Sequence, residues 1–153
     1  MLETINKKYH ALLSGKRIAS LDFGLKRIGF AYCDEFHITV TPYKTLYYDA
    51  DDFWEVLKSE LINRSVAALI VGVPYRLDNK RTEVIVKIEE FICLIKQKIE
   101  IEIITYDESY STIRSTETMV EIGKKKKHRA IKEEKDKLAA AIILRDFLTE
   151  LDG

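Results

Sequence analysis

Arg17-Ile18-Ala19-Ser20-Leu21-Asp22-Phe23-Gly24-Leu25-Lys26-Arg27-Ile28-Gly29-Phe30-Ala31-Tyr32-Cys33 is the stretch on which the fold turns. It holds two apolar runs with Gly24-Leu25-Lys26 between them. A break that short joins neighbours, so the two runs predict an antiparallel β-hairpin. Asp22 stands near the end of the first run, where a side chain can point out of the sheet. Gly24 can adopt positive φ and lets backbone approach a ligand closely. Lys26 and Arg27 follow at once, well placed for phosphate. Taken alone, the segment also fits an ordinary solvated turn.

Working outward, residues 39–48 are rich in Thr, Val and Tyr and predict a third strand, with Pro42 arguing for a sheet edge or an irregular start. The pattern then changes to alternation of helix and strand. Asp51-Asp52 can cap a helix carrying Phe53, Trp54, Leu57, Leu61 and Ile62. Val66 to Val73 is a continuous apolar run, as in a strand covered on both faces. Residues 82–98 read as an amphipathic helix with Val84, Ile85, Ile88, Phe91, Ile92 and Ile95 on one stripe. Residues 99–106 predict a strand, 111–122 a helix stopped by Gly123, and 133–151 a last helix. The order predicts one α/β domain over residues 1–153. Three antiparallel strands are followed by two parallel ones in a mixed sheet, with helices packed on it. Residues 1–15 read as an N-terminal extension, a short helix or a loose segment.

Composition bounds the function classes. The 153 residues are 46% hydrophobic, enough for a core and too many for a disordered chain. Equal numbers of basic and acidic residues, 25 each, leave partner choice to local distribution. Cys33 and Cys93 both lie in apolar runs and predict reduced core residues rather than a disulfide framework. No run reaches the roughly 20 apolar residues of a membrane span. The first residues hold no signal-peptide core, so a cytoplasmic location is expected.

Three acidic residues stand in settings that can aim a carboxylate at a common point: Asp22, Glu108 and Asp136. Converging carboxylates repel, and a hard divalent cation such as Mg2+ or Mn2+ removes that cost through oxygen ligands. Strand alternation sends Asp107 and Glu108 to opposite faces, so one of the two reaches the site. Glu133, a turn before Asp136 on a similar helix face, is the competing candidate there. Val71-Gly72-Val73-Pro74 is an abrupt strand exit, read most simply as turn chemistry. Lys124-Lys125-Lys126-Lys127-His128-Arg129 is a basic block that suits attraction to a nucleic-acid backbone, and a solvated loop explains it equally.

In this order the motifs resemble the YqgF family, also called RuvX-like, over roughly residues 17–148. The match rests on Leu21-Asp22-Phe23-Gly24-Leu25-Lys26-Arg27-Ile28-Gly29, Val71-Gly72-Val73-Pro74, Asp107-Glu108-Ser109 with Ser111-Thr112, and Asp136-Lys137-Leu138-Ala139-Ala140. The resemblance implies a ribonuclease-H-like fold and an acidic site carried over onto Asp22, Glu108 and Asp136. It implies a metal-dependent endonuclease that matures the 5′ end of the small-subunit (16S) ribosomal RNA precursor. The alternatives are a Holliday junction resolvase acting on branched DNA, and a nucleic-acid-binding protein with a vestigial site. Lys26, Arg27, Lys124, Lys125, Lys126, Lys127 and Arg129 would hold the nucleic acid. A monomer and a homodimer are both compatible. Ser109 departs from the family, which usually has Arg there.

Overall fold

In a computed structural model the protein is described over residues 5–75, 83–108 and 128–153. The quoted stretch forms β1 (Arg17–Asp22) and β2 (Arg27–Cys33), paired antiparallel with Asp22 opposite Gly29. Strand β3 (Val40–Tyr47) pairs antiparallel with β2, and its register slips between Phe30 and Ala31. Pro42 sits at that irregularity on the sheet edge, where a residue without an N–H is tolerated. Helix α2 (Phe53–Asn63) leads to β4 (Val66–Val73), which runs parallel to β1. Helix α3 (Glu83–Lys98) then returns the chain to β5 (Glu102–Asp107), parallel to β4. The resulting five-stranded sheet has the order β3-β2-β1-β4-β5.

Period-two alternation divides the sheet into two faces. Ala19, Leu21, Ile28, Phe30, Leu69 and Val71 pack with Phe53, Leu57 and Leu61 of α2 and Ile85, Ile88, Phe91 and Ile95 of α3. The other face carries Ile18, Cys33, Ala68, Ile70, Ile104 and Tyr106. Against it lie Ile143, Leu144, Phe147, Leu148 and Leu151 of α4 (His128–Asp152) and Leu13 of α1 (Ile5–Leu13). With a helix layer on each face, β4 has six consecutive buried residues, which explains its uninterrupted apolar sequence.

Several local expectations change. The N-terminal extension is a helix tied to the last one: Tyr9 packs on Phe147, and the Asn6 side chain donates to the Leu151 carbonyl. Asp52 occupies the N-cap position of α2 but makes no side-chain capping bond. Ile62 and Val84 are exposed, because the buried stripes run through Phe53, Leu57 and Leu61 on α2 and from Ile85 on α3. Cys93 is exposed on α3, whereas Cys33 is buried. Strand β5 starts at Glu102, since α3 reaches on through the Ile99 N–H bond to the Ile95 carbonyl. The helix expected over residues 111–122 lies outside the described residues.

Candidate active site

One sheet edge gathers the C-terminal ends of the parallel strands β1, β4 and β5 with the N-terminal end of β2. Alternation decides which residues there look toward α4. On β1, Ile18 packs against α4 and Ser20 donates to the Ala140 carbonyl at 2.6 Å, so Asp22 is next on that face. On β5, Ile104 and Tyr106 face α4, and Glu108 continues the series just beyond the strand. The Glu108 N–H donates to the Val73 carbonyl at 3.2 Å, which extends the β4–β5 pairing by one step. Asp107 falls on the opposite parity.

Two glycines flank Asp22 in the sheet. Gly29, its partner on β2, has no side chain, and the backbone of α4 fills the place: a Cβ there would lie 1.9 Å from the Asp136 carbonyl oxygen. Gly72, on β4 after the partner of Leu21, plays the matching part on the other side. A Cβ on Gly72 would lie 3.1 Å from Glu108 Oε2 and 2.6 Å from Ile143 Cδ1. One glycine thus lets the helix bearing Asp136 onto the sheet, and the other lets the Glu108 carboxylate lean across β4. Buried Ala139 and Ala140 extend the close approach of α4, with Ala140 beside Ala31. Gly72 is thus more than part of a turn. Glycine inside a strand pattern was the signal for close approach. Gly24 acts by approach as well: its φ is not positive, and a Cβ would meet the Arg27 carbonyl oxygen at 2.5 Å.

Asp22 is in reach of the other two acids. Burial, then the charges of Glu108 and Asp136, push the Asp22 carboxyl well above its ordinary value, and Lys135 partly opposes them. Glu108 is itself buried. Asp136 accepts an ion pair from Arg27, Nε to Oδ2 at 2.8 Å. Two cations, Arg27 and Lys135, therefore accompany the three carboxylates. Among the described residues, no three His, Cys, Asp or Glu side chains are already gathered as a metal-holding group. The donor set is nonetheless all oxygen, which suits a hard divalent cation.

Glu133 has its own occupation. Its carboxylate accepts from the Tyr47 hydroxyl and its carbonyl from Thr45 Oγ1 at 2.8 Å, so it faces β3 rather than Asp22. Lys26 is exposed in the β1–β2 turn. Lys124, Lys125, Lys126, Lys127 and Ser109 lie outside the described residues. Arg129 lies in the first turn of α4.

Comparison with known proteins agrees with this architecture. Residues 16–150 match the family model described as "RuvX: Holliday junction resolvase". A protein of Amoebophilus asiaticus, named "Putative pre-16S rRNA nuclease", is 37% identical over 134 residues, covering 87% of this chain and 94% of that protein. A protein of the same name from Sulfurihydrogenibium sp. is 34% identical over 137 residues, covering 88% and 91%. A third, from Endomicrobium trichonymphae, is 33% identical over 139 residues, covering 86% and 94%. With its ribonuclease-H-like sheet and a family match that runs nearly end to end, the chain belongs to the RuvX family.

Proposed function

We propose that this protein is a metal-dependent endonuclease that hydrolyses phosphodiester bonds of a ribosomal RNA precursor at the 5′ end of its 16S portion. One observation carries the reading: Asp22 lies opposite Gly29, where the α4 backbone at Asp136 rests on the sheet, and the Glu108 carboxylate leans over Gly72 on the neighbouring strand β4. Acids placed toward one end of a sheet cost stability, and a shared divalent cation would offset that cost. The names of the relatives supply the substrate class.

Asp22, Glu108 and Asp136 would hold Mg2+ or Mn2+. When bound, such an ion makes water a stronger nucleophile and offsets charge on the leaving oxygen. The chain's own contribution is placement. Strand β1 fixes Asp22, the Val73 carbonyl fixes the backbone at Glu108, and the Gly29 gap fixes the height of Asp136. Lys26 and the Lys124–Lys127 block would attract the phosphate backbone. No helix among the described residues is long and apolar enough to cross a membrane.

The family description favours a second reading, a nuclease of branched DNA. One assay separates the two. Purified protein with Mg2+ or Mn2+ receives precursor RNA and a four-way DNA junction, with Asp22→Asn as control. RNA cleavage lost in Asp22→Asn supports the proposal. Paired cuts in the junction alone transfer it to DNA, and equal activity in Asp22→Asn removes the acidic site from either reaction.

A further inference from the structure

Arg27 has a different occupation from the one its neighbour Lys26 suggests. Both follow the β1–β2 turn, and both invite the reading of a grip on phosphate. Lys26 is exposed. Arg27 opens β2 on the same face as Gly29, and its Nε donates to Asp136 Oδ2 at 2.8 Å. The bond joins residues 109 positions apart. It is largely covered, with side-chain exposures of 29% for Arg27 and 16% for Asp136. A surface ion pair adds little because solvent screens it and flexible side chains must be ordered. This pair differs, because the contact of α4 with Gly29 already fixes the backbone at Asp136. The remaining freedom at Asp136 is rotation of its side chain, and the guanidinium constrains that rotation.

We propose that Arg27 is a positioning residue that holds the Asp136 carboxylate by Oδ2 in the orientation for binding a divalent cation through Oδ1. The inference rests on the shared-metal reading above. A carboxylate has lone pairs on both oxygens, so it can accept from arginine on one and bind a cation with the other. Carboxylates that ligate metals are commonly oriented by such hydrogen bonds, and losing the partner typically weakens metal binding by roughly 10–100-fold. Arginine suits the task better than lysine because its planar fork is directional, whereas an ammonium is a point charge.

The test is Mn2+ affinity of the full chain by titration calorimetry, without nucleic acid. Arg27→Gln is expected to weaken Mn2+ binding by roughly 10–100-fold. Arg27→Lys should restore only part of the loss, and it serves as the second variant if the glutamine form folds poorly. Asp136→Asn should lose affinity too, and Arg27→Gln added to it should cost little more, since both act through one carboxylate. Wild-type or tighter Mn2+ binding in Arg27→Gln overturns the proposal. If that variant instead shows weaker RNA binding with a shallower salt dependence, Arg27 grips phosphate. Equal Mn2+ affinity in wild type and Asp22→Asn overturns the shared-metal reading itself.

Discussion

Asp22 carries the clearest electrostatic cost in the structure. Burial and two like charges raise its carboxyl above the ordinary value, so the folded protein holds a proton there more tightly than the unfolded chain does. The sign follows: stability falls as pH rises from the unfolded value, about 3.9, through the raised folded one. Asp22→Asn is therefore expected to melt above wild type at neutral pH in EDTA. The two should converge as pH falls toward the ordinary carboxylate range, which thermal melts from acid to neutral pH would show. Gly29→Ala should do the reverse of a stabilising change. Its Cβ would strike the α4 backbone at Asp136, so a loss of roughly 1–3 kcal/mol is expected in urea unfolding, with weakened cation binding. Asp22 and Glu108 stood out in sequence as acids at strand ends, whereas Asp136, expected near the start of a helix, lies more than two turns inside α4. The placement of Gly29 and Gly72 against Asp136 and Glu108 could not be read from sequence, because it depends on which strand pairs with which.

The last helix is the element that assembles the site. It covers the sheet face holding Ile18, Ala68, Ile70, Ile104 and Tyr106, and its small residues Ala139 and Ala140 bring it close over β1 and β2. Ser20 Oγ fixes its height at the Ala140 carbonyl. Ala140→Leu would insert a branched side chain where Ala31 already touches, at a cost of roughly 1–3 kcal/mol. It should also lower cleavage more than a comparable loss of stability elsewhere would, as measured against Leu57→Ala at a temperature where both stay folded. Residues 133–151 were legible as helix, and Asp136, Ala139 and Ala140 were legible as one face. The occupation of Glu133 was not, because Tyr47 and Thr45 on β3 claim it, and that pairing appears only once the sheet exists. Ile62 and Cys93 misled for a related reason: an apolar residue in a helical pattern is buried only if a neighbouring element covers its side of the helix.

Across the whole molecule, the mixed sheet turns a chain order into a meeting point. The hairpin sets Gly29 opposite Asp22 and Arg27 in reach of Asp136, the parallel strand β5 ends just before Glu108, and α4 lies across the sheet face between them. That topology was legible from the short turn, the buried run of β4 and the alternation of helix and strand. Charge should matter at this scale as well. Replacing Lys124 to Lys127 with Ala is expected to weaken RNA binding and flatten its dependence on salt, and an unchanged slope would show that the block makes no phosphate contacts. The central claim is that three distant carboxylates share one divalent cation. Anomalous diffraction from crystals grown with Mn2+ tests it most directly. A Mn2+ peak bounded by Asp22, Glu108 and Asp136 is the expected result. A peak elsewhere, or none at Mn2+ concentrations that support cleavage, would contradict it.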